Sequence, residues 1–143
     1  MQLARVYFDE QLIQLRLTVC DGLSEFTNEV YVCHENLSQT VGELTGFQKA
    51  TPPACHDIRF GEFGPEYGAA FQARLRLAPP GRLLVSCRQE SDFEEFGGDC
   101  VASSAAIHLV SEPGLLDRFV SELALVAAGM ETVAPFDGPN VSG

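Results

Sequence analysis

Residues 67–90 read Y-G-A-A-F-Q-A-R-L-R-L-A-P-P-G-R-L-L-V-S-C-R-Q-E. This stretch constrains the fold most, because it specifies one β-hairpin in one register. Phe71, Ala73, Leu75 and Leu77 alternate with Gln72, Arg74, Arg76 and Ala78. Leu83, Val85 and Cys87 alternate with Arg82, Leu84, Ser86 and Arg88. Both runs have the period of two expected of a half-buried strand. The intervening Pro79-Pro80-Gly81 suits a three-residue loop that closes on a left-handed glycine. Such a loop sets Leu77 opposite Leu83, Leu75 opposite Val85 and Ala73 opposite Cys87, all on one face. A two-residue loop would set Leu77 opposite Arg82 and mix the faces, so turn chemistry and apolar pattern select the same pairing. Burial of Leu75, Leu77, Leu83 and Val85 contributes roughly 6–12 kcal/mol before entropy is counted.

The same pattern organises the chain on either side. A short strand is expected over residues 2–8. From Gln11 to Cys20, Ile13, Leu15, Leu17 and Val19 face one way. After the turn Asp21-Gly22-Leu23-Ser24, a second strand runs from Glu25 to His34 with Phe26, Val30 and Val32 inward and Asn28 interrupting the set. A four-residue loop pairs Val19 with Phe26, Leu15 with Val30 and Ile13 with Val32, and sets Arg16 across from Glu29, a favourable outer pair. Leu37, Val41 and Leu44 predict a helix over residues 37–45, capped by Asn36 and ended by Gly46. A strand over 55–63 turns Ile58 and Phe60 inward, and Gly61–Gly68 is a connection. The last strand is expected over 100–110. A second helix is expected over 112–128, with Ser111 before it, Pro113 in its first turn, and Leu116, Phe119, Val120, Leu123 and Val126 on its apolar face. The sum is an α+β domain over residues 1–129. Its core is an antiparallel twisted sheet of about six strands with two helices packed on one face, and residues 130–143 form a loose tail to which Val133 and Phe136 offer docking contacts.

Composition narrows function. A chain of 143 residues buries about 68–70% of its unfolded surface and needs neither disulfide nor metal to fold. The 20 acidic against 9 basic residues give a formal net charge of −11, which disfavours nucleic acid or anionic membrane and suits either solubility alone or a basic protein partner. No apolar run is long enough to span a bilayer. The N-terminal M-Q-L-A-R-V-Y-F-D-E lacks an export signal, so a cytoplasmic location is expected. The five cysteines, Cys20, Cys33, Cys55, Cys87 and Cys100, are odd in number and lack framework spacing, which suits a reducing compartment.

No catalytic signature stands out. Cys33-His34 and Cys55-His56 offer zinc-type ligands, but neighbouring strand residues point to opposite faces and cannot both reach one ion. A thiol nucleophile drawn from Cys55, Cys87 or Cys100, with His56 or His108 and Asp57, has no spacing to single it out, and Cys87 belongs to the expected core. The acidic segment after the hairpin fails the EF-hand pattern, with Phe96 at the fifth loop position and Ser103 where a bidentate Glu belongs. No metal or cofactor is expected. That segment carries Glu90, Asp92, Glu94, Glu95 and Asp99 with Phe93 and Phe96 among them. On a loop free of strand pairing, it reads either as a solvated acidic loop or as a surface for a basic partner, with apolar anchors and a charged rim as protein interfaces have. The outer face of the central hairpin carries Arg74, Arg76, Arg82 and Arg88, four of the nine basic residues.

The order strand–strand–helix, several strands and a closing helix resembles small acidic bacterial proteins of the polymorphic-toxin immunity type. The local likeness lies in R-L-R-L-A-P-P-G-R-L-L-V-S-C and V-S-E-P-G-L-L-D-R-F-V-S-E-L, within a pattern covering about the first 128 residues. The resemblance implies a class, a non-enzymatic protein-binding module, and no site; with the acidic charge the first reading is an immunity-type inhibitor of a basic toxin, and monomer or homodimer is expected. Two alternatives stand beside it: a small-ligand-binding protein or thiol enzyme with a cavity between sheet and helices, and a homo-oligomeric scaffold.

Overall fold

The computed structural model describes residues 1–79 and 81–137. In chain order the elements are β1 (Gln2–Phe8), β2 (Leu12–Cys20), β3 (Glu25–Cys33), α1 (His34–Phe47), β4 (Ala54–Phe60), β5 (Ala70–Ala78), β6 (Arg82–Glu90), β7 (Glu94–Phe96), β8 (Asp99–Val101), β9 (Ser104–Ser111), α2 (Pro113–Ala127) and β10 (Val133–Pro135).

The two hairpins form in the registers that their apolar faces require. β5 and β6 pair Leu77 with Leu83, Leu75 with Val85 and Ala73 with Cys87, and Gly81 at the turn has φ +71°. β2 and β3 pair Val19 with Phe26, Leu15 with Val30, Ile13 with Val32 and Arg16 with Glu29. Asp21 shapes the β2–β3 turn, its Oδ1 accepting from the backbone N–H of Leu23 at 2.9 Å and of Ser24 at 2.7 Å.

The α+β class and the antiparallel pairing hold, but the expectation of one sheet of about six strands does not. The strands form two four-stranded sheets, β10-β1-β2-β3 and β4-β5-β6-β9, and the separate ribbon β7-β8. Alternation decides which face of a strand is buried, but not which strands share a ladder. Here the chain leaves β3 through α1, and β4 starts a new sheet. β3 then comes close to β4, β5, β6 and β9 without joining their ladders.

Apolar faces of both sheets and apolar stripes of both helices meet in one core, which includes Leu15, Val30, Leu44, Phe60, Phe71, Leu75, Leu83, Phe119 and Leu123. The helices contact each other, α1 also meets β3 and β4, and α2 meets β10.

The helix boundaries shift at their starts, and α1 also runs through Gly46, expected to end it, to Phe47 with Gln48 as the C-cap residue. α1 begins at His34 because the Cys33 sulfur, rather than Asn36, caps it, accepting from Asn36 N–H at 3.4 Å. α2 begins at Pro113 with Glu112 as its N-cap residue. The strand expected over 100–110 is divided, its first residues lying in β8 and the remainder in β9. Within the expected loose tail, Val133–Pro135 pairs with β1. The Phe136 ring stacks on Phe119 at 4.8 Å and is buried. The tail's last residues, 138–143, lie outside the described residues.

Candidate functional site

The acidic segment is built on a hairpin, which corrects the expectation of a loop free of strand pairing. The β6–β9 ladder ends at Glu90↔Ser104. Ser91 continues it, its N–H donating to Ser103 O at 2.8 Å and its Oγ accepting from Ser103 N–H at 2.9 Å. Beyond this the ribbon resumes as β7 and β8, pairing Glu94 with Val101, Glu95 with Cys100 and Phe96 with Asp99. Gly97 and Gly98 make the tip, with φ +59° and +93°. Two successive left-handed residues form the tight turn that matches strand twist, and glycine takes them without a Cβ clash. The Gly-Gly pair between two short runs was the sequence signal for this hairpin.

Pairing sorts the side chains. Residues directly opposite share a face, so Glu94, Phe96, Asp99 and Val101 lie together, and Glu95 and Cys100 lie on the reverse. Every residue of β7 and β8 is exposed. Phe96 is 74% exposed and Val101 41%. Phe93, by contrast, is partly buried. Glu90 stands apart from the hairpin: it lies on β6, and its carboxylate accepts from Gly64 N–H at 2.9 Å. Asp92 lies at the root, on the rim of an open depression of about 410 Å³ that is lined also by Arg16, Thr27, Asn28, Glu29, Ala69 and Ser91. Within it Arg16 and Glu29 are paired at 2.9 Å.

The floor of that depression joins the two sheets. Asn28, the residue that breaks the apolar pattern of β3, is buried and donates from Nδ2 to Ala70 O at 2.9 Å and to Glu90 O at 3.1 Å. Gln89 from β6 is buried as well and donates from Nε2 to Asn28 Oδ1 at 2.9 Å and to Leu17 O at 3.1 Å. These bonds replace a continuous ladder and fix where the acidic hairpin leaves the body. In the sequence Asn28 shows only as an interruption of an apolar set, and Gln89 carries no signal beyond being a polar residue at an inward position of β6.

The outer face of the second sheet gathers the positive charge. Arg74, Arg76, Arg82 and Arg88 are joined there by Arg59 on β4, whose register sets it beside Gln72 and, across β5, Arg88. Arg74 is paired with Asp57, Nε to Oδ1 at 2.9 Å and Nη2 to Oδ2 at 3.1 Å. The Arg74 guanidinium holds the Asp57 carboxyl below its usual range. Arg88 lies over the Phe63 ring at 4.1 Å.

The residues considered for metal or thiol chemistry are dispersed. Cys33 caps α1, and His34 Nε2 lies 2.7 Å from Asp9 O. Cys55 is exposed, whereas His56 turns inward against Phe47, with ring centroids 5.6 Å apart. No group of three or more His, Cys, Asp or Glu converges on a metal-sized site among the described residues. All five thiols are free, and Cys87 alone is buried. Burial pushes its thiol up to about 11. No helix among the described residues is long and apolar enough to cross a membrane. Comparison with protein-family models, with curated proteins and with solved structures found no match to this chain.

Proposed function

We propose that this protein is a non-enzymatic binding module that engages a basic protein through the β7–β8 hairpin, and that the partner is a basic toxin held in an immunity-type complex. The observation that carries the reading is Phe96, 74% exposed at the tip of a ribbon whose neighbours are Glu94, Glu95 and Asp99. Phe96 and Val101 share one exposed face of the ribbon with Glu94 and Asp99, an apolar pair with a charged rim of the kind protein interfaces use. Phe96 acts as the anchor, with Val101 beside it, and the carboxylates steer a basic partner into place. Backbone pairing and the Gly97-Gly98 turn hold the ribbon in shape, which lowers the ordering cost of binding.

The test uses the purified protein as bait with two variants, Phe96→Ser and the triple Asp92→Asn, Glu94→Gln, Glu95→Gln. A basic protein retained by the wild type should be lost by Phe96→Ser. Its association with the triple variant should be slower and less salt-dependent, with folding unchanged. Retention by Phe96→Ser together with an unchanged association rate would remove the hairpin from the interface.

A further inference from the structure

Among the described residues, the two four-stranded sheets end in the edge strands β10, β3, β4 and β9. Three of them are protected. β10 has three residues and ends in Pro135, and β3 lies against the second sheet. β4 carries Asp57 and Arg59 and is approached by α1. β9 differs. It is eight residues long, reads S-A-A-I-H-L-V-S, and pairs with β6 without a register shift. It contains no Asp, Glu, Lys, Arg or Pro, the residues by which natural edges resist further pairing. Among the described residues, the backbone of 105–110 is bonded on the β6 side alone.

This open edge borders the arginine face. Ala106, His108 and Val110 continue its rows, opposite Arg88, Ser86 and Leu84 in turn. Five of the nine basic residues, Arg59, Arg74, Arg76, Arg82 and Arg88, share this face, where Asp57 and Glu90 are the only acidic residues among the described strand positions, in a chain of net charge −11. Strands lie about 4.8 Å apart, and the small Ala106 stands between Arg88 and the open edge, so Arg88 can turn from the Phe63 ring, 4.1 Å away, across β9 to a strand added beside it. On the inner side, Ala105 and Leu109 are only partly buried and would gain cover.

We propose that β9 accepts an acidic, extended segment of a partner protein as a fifth strand of this sheet. Main-chain pairing supplies affinity, Arg88 meets a carboxylate directly, and the positive charge of the face behind it favours an acidic segment over a basic one. Positions alternating with that carboxylate are apolar and extend the cover over Ala105, Ile107 and Leu109. A nucleic acid fits this surface poorly: the basic patch is small, and the rest of the chain repels a long polyanion. The surface shares no contact residue with the Phe96 face, so its test is independent of the hairpin reading.

The experiment is a titration of the full chain, labelled for amide nuclear magnetic resonance, with an eight-residue capped peptide alternating Glu and Val. The expected result is perturbation and exchange protection of amides in 104–111, with affinity lowered about tenfold by Arg88→Glu as charge steering and pairing are lost. An N-methylated peptide of the same charge should fail to bind. Equal binding by the N-methylated peptide, or by a Lys-Val peptide, would overturn the proposal. So would stronger binding of a thymidine octamer. Protection of the β9 amides before any peptide is added would also overturn it, with a second copy of the chain as the occupant if that protection grows with protein concentration.

Discussion

Replacing Asn28 by alanine tests the claim that a polar link, rather than a shared ladder, joins the two sheets. The substitution removes the donor to Ala70 O, the donor to Glu90 O and the acceptor for Gln89 Nε2. Each bond contributes about 0.5–1.5 kcal/mol net, and stranding a buried partner costs more. The expected loss is therefore about 3 kcal/mol, a large share of the roughly 5–15 kcal/mol typical of a domain. Gln89→Met should behave differently. It gives up two bonds, to Leu17 O and Asn28 Oδ1. It also removes the Gln89 Oε1 acceptor, which is buried and has no partner among the described residues. Removing a stranded acceptor offsets much of the loss, so the net cost should be near 1 kcal/mol. The double variant should be less destabilised than the sum of the two by about 1 kcal/mol, because the Asn28–Gln89 bond is counted in both singles. Urea unfolding followed by circular dichroism measures all four proteins. With a slope of about 2 kcal/mol/M, Asn28→Ala should move the midpoint down by about 1.5 M with the slope unchanged. A shift of Asn28→Ala no larger than that of Gln89→Met would refute the assigned network.

Phe136→Ala should cost about 3–5 kcal/mol in the same assay, since it removes a buried ring stacked on Phe119; a loose segment would lose almost nothing. A thiol reagent added to the native protein should titrate Cys20, Cys33, Cys55 and Cys100 and spare Cys87, which is buried with its pKa pushed up to about 11; the fifth thiol should react only on unfolding, and five fast thiols would contradict the burial. The folded-state pKa of Asp57 is depressed by Arg74, so this pair's contribution is present above the unfolded value near 4 and is lost as pH falls through the lower folded value. Asp57→Asn should therefore be slightly less stable than wild type at neutral pH and low salt and should match it in strong acid. The gap should be small because the Arg74 and Asp57 side chains are 59% and 40% exposed; a gap that widens on acidification would reverse the assignment.

Short-range chemistry was enough to determine the hairpins. At β5–β6 and β2–β3, loop length and apolar alternation act on the same few residues, and a slip of one position would turn Leu75 or Leu15 to solvent. The helix starting at Pro113 is legible for a similar reason, since an apolar stripe and an N-terminal proline are local properties. Of the candidate site, the residues and their charge were legible, as was the outward aspect of four arginines. The pairing within Glu94–Val101 was signalled by Gly97-Gly98 but was outweighed by the density of carboxylates. Other features depended on packing between distant segments. Nothing local to β3 and β4 says that they end in different sheets, because that depends on where α1 carries the chain. Asn28 and Gln89 are 61 residues apart, and each looks like a defect until the other supplies its partner. Arg59 joins the arginine face only because β4 pairs beside β5. β9 is left as an open edge because no described strand lies beyond it. Alternation fixes which side of a strand faces the core, because that is a property of one strand and its turn. The neighbour at a strand's far edge is a competition among all segments of the chain, and only the folded molecule resolves it.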